Sequence, residues 1–500
     1  MNILSIGIIV KNEEKNLAKC LDSIEELRKK LDCKVIIADT GSTDDTAKLA
    51  EKRADIFMKT TWNTDFSDAR NALLKKIDSE WFMYIDADEV LPENNNLAEF
   101  FTSGDYKNYN CASLDIKTVF NDRFEQFGNT VRLVKFTPET KFEGIINETF
   151  TGDLSICKNL RITLEHSGYT DEFVRAKEIR NSAMSRLAIA DEKNPVALVR
   201  DYMSLADSLY KYDVDEAEKA WEQALSVDAD FYSKCCLIVR KMDYYFDSNE
   251  YNKALEEHEK YKKFRESENT RLLYTDIEDA YLSGASAARS DKFDFAAEML
   301  TKFEEYYKYY NENYDDFVAD RRFYPAVNTS EYAVKLAYGM LTASCMKSKR
   351  YDTALSRLME SPTASTDIIF CMDNQGDLSR LPEYLAVPGA ADAAMKYIYE
   401  AVHPIELSGA LAKVIGQKSD FAVIHRYLTE PFDCDEESLH AKKVIIEYLT
   451  KTKTELEDLE YLVNDYISHV YVTSDSIHYS DVITSAQHLF AENSTNTDDV

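Results

Sequence analysis

The sequence predicts a Rossmann-like α/β domain followed by an all-α domain of tetratricopeptide-like helical repeats, and three observations predict it. The 13 glycines and 9 prolines in 500 residues are far below the usual ~7% and ~5%, which favours helix in the bulk of the chain. Seven of those glycines lie between Gly7 and Gly168 and none follows until Gly284, so the chain changes character near residue 170. Before that point apolar, β-branched runs alternate with helical patterns, and after it nearly everything reads as helix.

The expected strands of the first domain are Ile3–Val10, Val35–Ile37 and Trp81–Ile85, and the helices between and after them are Glu13–Leu31, Asp44–Lys52 and Ser67–Lys76. The opening run MNILSIGIIV has no basic residues before it and is followed directly by KNEE, so it reads as a buried strand rather than a leader. In the second part an aromatic or aliphatic residue stands three before an alanine at Val214/Ala217, Tyr251/Ala254, Phe293/Ala296 and Tyr351/Ala354. The intervals are 37, 42 and 58 residues, against 34 for a tetratricopeptide unit, in which a small residue lets paired helices approach. Helical stretches precede each pair: Asp201–Tyr212, Cys235–Phe246, Ile277–Ala288 and Lys335–Met346. The expected divisions are 1–170 for the α/β domain, 171–200 for a helical linker, 201–360 for the repeats, 361–491 for a C-terminal helical region and 492–500 for a disordered tail.

A net charge of −31, most of it beyond residue 150, opposes phosphate backbones and anionic membrane surfaces, so no nucleic-acid partner is expected. A solvated acidic helical face is the expected source of the excess, with an acidic docking site for a basic partner as the alternative. No apolar stretch approaches the ~20 residues of a membrane span. Nine scattered cysteines without a CxxC pair indicate reduced thiols, consistent with a cytoplasmic protein. There is no GxGxxG, P-loop or GxSxG elbow, which leaves dehydrogenase, NTPase and esterase readings unsupported.

Open parallel sheets bind ligands beyond the carboxyl ends of their strands. Three polar clusters fall at such ends: Lys11-Asn12-Glu13, Asp39-Thr40-Gly41-Ser42-Thr43-Asp44, and Asp86-Ala87-Asp88-Glu89. In the last, two carboxylates one residue apart on an extended segment share a side and suit a hard divalent cation. Other Asp-x-Asp pairs occur at 213/215, 228/230 and 433/435, but only Asp86 follows an apolar strand, Trp-Phe-Met-Tyr-Ile.

Residues 3–91 carry IGIIVKNEEKNLAKCLDSI, VIIADTGSTDDT and FSDARNALLKKIDSEWFMYIDADE in order, and VRLVKF, FEGIINETF and HSGY follow. In these motifs the chain resembles a family-2 glycosyltransferase of the GT-A fold, within the subgroup of bacterial lipopolysaccharide-core and peptide or protein (flagellin-type) glycosyltransferases. The resemblance implies that Asp39 accepts a hydrogen bond from a uracil ring, that Arg70 lies near the nucleotide, and that Asn12 and Glu13 border it. It implies further that Asp86 faces the ribose and the metal, that Asp88 binds the metal, and that His166 closes the metal site. Mg²⁺ or Mn²⁺ suits the oxygen ligands, and an added imidazole tilts the choice toward Mn²⁺. Glu148 is the expected base on the acceptor side, with pairing to a basic residue such as Arg132 as its structural alternative. Related enzymes often have a histidine before this glutamate, where this chain has Asn147. Glu89 is expected to orient the site.

The activity implied is an inverting, metal-dependent transfer of a sugar, N-acetylglucosamine or glucose, from a UDP-sugar to a protein or peptide, through a serine or threonine hydroxyl. Lipopolysaccharide-core or other glycan transfer is the alternative, with the helical region mediating a homodimer. An inactive binding scaffold is the reading from another class. The loops around residues 92–145, on which the choice of sugar depends, have no place assigned by the sequence.

Overall fold

A computed structural model of the chain describes residues 2–92, 95–120, 124–166, 171–268, 271–317 and 328–391, together with 393, 394 and 397. Expectations for 401–500, including most of the C-terminal helical region and the tail, lie outside the described residues.

The first three strands, β1 (Leu4–Val10), β2 (Cys33–Asp39) and β3 (Ile56–Lys59), are parallel neighbours, with helices α1 (Leu17–Arg28) and α2 (Thr46–Arg53) between them. Helix α3 (Phe66–Leu74) leads into β4 (Trp81–Tyr84), which pairs in parallel with the other side of β1. Then follow β5 (Glu89–Val90), α4 (Asn95–Thr102), β6 (Cys111–Phe120) and β7 (Phe124–Lys135). A small hairpin, β8 (Lys141–Glu143) and β9 (Thr149–Thr151), precedes β10 (Cys157–His166). Among the described residues the main sheet has eight strands, in the order β3-β2-β1-β4-β7-β6-β10-β5. Within it β7 runs antiparallel to both β4 and β6, and β10 is parallel to β6. The strands β1, β2, β4, β6 and β10 therefore share one direction, and their carboxyl ends share one edge.

Side chains alternate across this sheet, as the pleat requires. Leu4, Ile6, Ile8 and Val10 of β1 join Val35 and Ile37 of β2 and Trp81 and Met83 of β4 in a core under α1 and α4. On the other face Phe82 and Tyr84 pack with Phe142 and Phe150 of the hairpin, as edge-to-face ring pairs with centroids 5.4–6.3 Å apart. Gly7 is required where β1 meets this layer, because a Cβ there would lie 2.7 Å from the Phe82 ring.

From Asp171 onward the described chain is helical. Helices α5 (Asp171–Asp191), α6 (Pro195–Leu209), α7 (Val214–Ser226), α8 (Phe231–Asp247), α9 (Tyr251–Glu266), α10 (Tyr274–Arg289) and α11 (Phe293–Glu312) follow one another. A short 3₁₀ turn, Tyr314–Phe317, and α12 (Glu331–Lys347) come next. The four aromatic/aliphatic–alanine pairs each open a helix, and Ala217, Ala254, Ala296 and Ala354 are completely buried. The turns before three of these helices share one geometry. Asn249, Asp291 and Lys349 have φ of 61°, 57° and 60°, and the next amide in each bonds back five residues, to Tyr245, Ala287 and Cys345. This is the left-handed closure that ends a helix and starts its partner. Helix α10 is buried along its whole run from Tyr274 to Ala287. The acids within that run are matched: Asp276 binds Arg265 and the Tyr261 hydroxyl, Asp279 binds His258, and Glu278 accepts from Tyr274 and Asn328.

By its contacts the chain divides at residues 344/345. The described part of the second unit contains α13 (Tyr351–Leu358), α14 (Thr366–Gln375) and α15 (Leu381–Leu385). Ser365 caps α14 by accepting from the Asp367 amide, and Gly376 ends it at φ 69°.

Candidate functional site

The site forms where the shared strand edge gathers the polar clusters. Two residues beyond the end of β1, Asn12 has a φ of 58° that turns the chain. Its amide donates to Ser42 Oγ at 3.0 Å, and its Oδ1 accepts from the Thr43 amide at 2.8 Å. The Glu13 amide donates to Thr46 Oγ1 at 2.7 Å. These bonds lace the first strand corner to the loop after β2. The Glu13 carboxylate accepts from Asn16 Nδ2 at 2.9 Å. Burial raises its carboxyl above the ordinary range, aided by the charges of Asp88 and Asp44 and opposed by Asn16 and Lys177. Asp39, the last residue of β2, is buried and accepts from the Ser42 amide at 3.1 Å. Gly41 supplies the φ of 106° that the turn after it requires.

After β4 the chain turns through Asp86-Ala87-Asp88-Glu89. The Asp86 amide donates to Glu89 Oε2 at 2.8 Å, and the Glu89 amide donates back to the Asp86 carbonyl at 3.0 Å. Glu89 therefore braces this turn. Its carboxyl is pushed up to about 7, chiefly by burial and then by the Asp86 charge, against the pull of Arg132.

Arg70 comes from α3, whose start is capped by Asp65 accepting from the Asp68 amide at 3.0 Å. Its Nη2 donates to Asp86 Oδ1 at 2.7 Å and its Nε to Glu148 Oε1 at 2.5 Å. The hairpin carrying Glu148 is sewn to the same helix: Ser67 Oγ donates to the Gly144 carbonyl at 2.7 Å, and Asn71 exchanges bonds with the backbone of Phe142. The Glu148 loop turns through Gly144 at φ 102° and Asn147 at φ 52°. Asparagine tolerates that region, which fits its presence before the glutamate.

Arg132, on β7, donates from Nη2 to Glu89 Oε1 at 2.6 Å and places Nη1 3.7 Å from Asp86 Oδ2. The guanidinium carbons of Arg70 and Arg132 stand 4.4 and 4.3 Å from the centroid of the Tyr84 ring. Five charged groups thus alternate in sign: Glu148, Arg70, Asp86, Arg132, Glu89. Burial opposes the Asp86 charge, but the two guanidinium groups override it and hold this carboxyl well below the usual range. The expected alternative partner of Glu148 was Arg132; the structure corrects this, since Arg70 takes Glu148 and Arg132 takes Glu89. Arg70 in turn is engaged by two carboxylates, and its buried Nη1 lacks a hydrogen-bond partner.

His166 ends β10 and is the register partner of Glu89. Its Nε2 lies 3.0 Å from Asp88 Oδ2, and its Nδ1 is 3.4 Å from Thr118 Oγ1. Burial would lower the imidazole, but the bond to Asp88 and that charge outweigh it and raise the value. Burial would raise Asp88, and the same bond more than offsets it. Two donors each ~2.1 Å from an octahedral ion are separated by ~3.0 Å, so this pair has the spacing of neighbouring ligands of Mg²⁺ or Mn²⁺. Asp86 Oδ1 accepts from Arg70, and among the described residues no group of three or more His, Cys, Asp or Glu placed to hold a metal ion is formed.

Sequence reasoning did not assign a site role to Tyr84, Arg132 or Lys177. Arg132 stands in the quoted VRLVKF motif, so a signal was present; Lys177 lies in what reads as a linker, on α5, with its Nζ 3.8 Å from Asp88 Oδ2.

A mixed sheet with its acidic cluster at the carboxyl ends of β1, β2 and β4 defines an α/β domain of the GT-A kind. Residues 5–158 match the sequence profile described as Glycosyl transferase family 2. The chain is similar to the SPbeta prophage-derived glycosyltransferase SunS of Bacillus subtilis, 27% identical over 187 residues, covering 36% of this chain and 43% of that protein. It is also similar to the lipopolysaccharide core biosynthesis glycosyltransferase LpsC of Rhizobium meliloti, 36% identical over 93 residues, 18% of this chain and 32% of that one. The chain thus spans less than half the length of these curated relatives. Among solved structures, S. aureus TarS residues 1–349 match at 13% identity and a TM-score of 0.27, over 54% of this chain and 93% of that one.

Proposed function

We propose that the chain is an inverting, metal-dependent glycosyltransferase that moves N-acetylglucosamine or glucose from a UDP-sugar to a serine or threonine hydroxyl of a protein or peptide. The observation that carries this reading is the meeting of Asp88 with His166 beside the Glu148–Arg70–Asp86 chain, at the edge where Asp39 also ends its strand. In this reading Asp39 accepts from the uracil ring, Asn12 and Glu13 border the nucleotide, and Asp86 faces the ribose and the metal. Asp88 and His166 hold Mn²⁺ or Mg²⁺, which when bound neutralises the charge developing on the diphosphate leaving group. Glu148 takes the acceptor proton on Oε2, the oxygen opposite the one that Arg70 binds. Arg70 holds the donor-side and acceptor-side carboxylates at a fixed separation, a positioning task that supplies orientation before the transfer.

The peptide acceptor rests on the helix pairs behind the domain, since stacked helical repeats present extended surfaces suited to peptides. We assign 1–170 to the catalytic domain, 171–200 to a helical linker and 201–360 to tetratricopeptide-like repeats. The similarity to LpsC favours a second reading, a glycan acceptor, with the helical region available for self-association. The test is release of UDP from a panel of UDP-sugars with Mn²⁺, comparing the intact protein with Asp88→Asn, and then protein against glycan acceptors. Selective turnover of one donor that vanishes in the variant supports the reading. Absence of donor binding and turnover overturns it in favour of an inactive scaffold.

A further inference from the structure

The arginines around Glu148 differ sharply in how they are engaged. Arg70 and Arg132 are each 4% exposed, and each faces two carboxylates: Asp86 and Glu148 for the first, Asp86 and Glu89 for the second. Arg200 comes to the same loop from α6, in the helical part of the chain. A Cβ on Gly144 would stand 3.7 Å from Arg200 Nη2 and 3.5 Å from Glu148 Cα, so no more than about 7 Å separates this guanidinium from the backbone of Glu148. Gly144 itself has a φ of 102°, which keeps a side chain out of that space.

Arg200 forms no hydrogen bond with the described residues. Its Nε is buried without a partner, and the contact that Nε makes with Asp201 Oδ1, at 3.8 Å, is too long for one. The side chain is 26% exposed, so the terminal nitrogens, unlike Nε, meet solvent. Asp201 is a poor holder for it: the carboxylate is 2% exposed, its Oδ1 is also unpartnered, and burial pushes it up to about 6 against the Arg200 charge. Acids are not scarce in this chain, where Asp and Glu outnumber Lys and Arg by 90 to 59. A guanidinium that ends in solvent beside the Glu148 loop, with no carboxylate bonded to it, is a fork open to a carboxylate from outside the chain.

We propose that Arg200 binds a carboxylate of the acceptor peptide, from an Asp or Glu one or two residues away from the hydroxyl that receives the sugar. The proposal rests on the glycosyltransferase reading above and on its peptide acceptor. Successive Cα atoms of a peptide are about 3.8 Å apart, so with the hydroxyl at Glu148 Oε2 a side chain one or two residues away spans the distance to Arg200. The net charge of −31 repels a generally acidic peptide. The contact therefore selects the position of one carboxylate rather than the overall charge of the acceptor. Helix α6 thereby supplies acceptor recognition to a site whose donor side is built by residues 12–166.

The experiment measures sugar transfer by the full-length protein, with Mn²⁺ and the UDP-sugar that it turns over, to two sets of synthetic peptides of equal net charge. One set carries an Asp within two residues of the serine, on either side; the other carries the same Asp about ten residues away. One charge-assisted bond predicts that wild type favours the first set about tenfold in kcat/KM. Arg200→Gln, which keeps the bulk of the side chain, is expected to raise the KM of the first set until the preference is gone, with the KM of the UDP-sugar as in wild type, and Arg200→Lys to retain part of the preference. Equal use of the two sets by wild type overturns the proposal, as does a preference that survives Arg200→Gln. An equal rise in the KM of peptide and UDP-sugar also overturns it, because that pattern marks an arginine that only docks α6 on the hairpin. No transfer to any peptide, with donor hydrolysis retained, overturns the proposal and the peptide acceptor while the transferase reading stands. Absence of donor binding and turnover removes that reading as well.

Discussion

The Arg70 Nε donates to Glu148 Oε1 at 2.5 Å, while Nη2 of the same guanidinium donates to Asp86. Glu148 and Asp86 are therefore two ends of one link through a single guanidinium. Helix α3 and the β8–β9 hairpin are bonded to each other on both sides of it, so the link is held by backbone as well as charge.

Arg70→Ala leaves Glu148 and Asp86 without their shared cation and is expected to destabilise the protein by about 3–5 kcal/mol, as for breaking a buried pair. Urea unfolding measures this. Glu148→Gln is expected to lower kcat by roughly 10²–10⁴-fold through loss of the base, with a thermal midpoint close to wild type. A full-rate Glu148→Gln enzyme would remove the base assignment.

His166→Ala removes one of the two proposed metal ligands without touching Arg70. It is expected to raise the Mn²⁺ concentration needed for half-maximal UDP release by about 10–100-fold. Asp88→Asn is expected to reduce turnover by about 10²–10³-fold even at saturating Mn²⁺, since it weakens stabilisation of the leaving group. Metal titrations of turnover distinguish the two effects.

Glu278 in α10 gives a pH prediction away from the site. Burial pushes its carboxyl up to about 7, against the bonds from Tyr274 and Asn328. Between the unfolded glutamate value of ~4.3 and about 7 the folded protein binds more protons than the unfolded chain, so stability falls as pH rises through this window. The contribution is full below the unfolded value and lost above about 7. Urea midpoints at pH 5.5 and 8 are expected to differ more in wild type than in Glu278→Gln, and an equal difference would refute the assignment.

Gly284→Ala sets two effects against each other. Alanine in a helix interior gains ~1 kcal/mol over glycine. A Cβ here, however, meets Leu300 Cγ at 2.7 Å and the Leu300 backbone nitrogen at 3.1 Å, and overpacking of this kind costs about 1–3 kcal/mol. The backbone contact cannot give way as a side chain can, so a net loss is expected by thermal or urea unfolding.

Much of the sheet was legible because its signals are local. The runs at Ile3 and Trp81 become β1 and β4, and the helix starts at Val214, Tyr251, Phe293 and Tyr351 fall where a buried alanine follows three residues later. Asp86 and Asp88 could be found because an apolar strand ends immediately before them. Arg132 and Lys177 could not be given roles in the same way. Arg132 reaches Glu89 across 43 residues, through the antiparallel register of β7 on β4. Lys177 comes within 3.8 Å of Asp88 only in the folded chain, from a helix beyond the sheet. The β5–β10 pairing that sets His166 opposite Glu89 involves a two-residue strand, too short to leave a periodic pattern. The stretch 92–145, which the sequence alone could not arrange, supplies β6 and β7, the inner strands that carry the sheet across to His166.

Helix α10 has no water-facing side for fourteen consecutive residues, from Tyr274 to Ala287. Its amides can exchange hydrogen for deuterium only when the packing of α9 and α11 is undone, whereas the turns at Asn249 and Asp291 open with local fraying. This helix therefore serves as an internal clock for the helical region: its slowest-exchanging amides report opening of the whole, and a bound ligand that stabilises the whole would slow them without touching them.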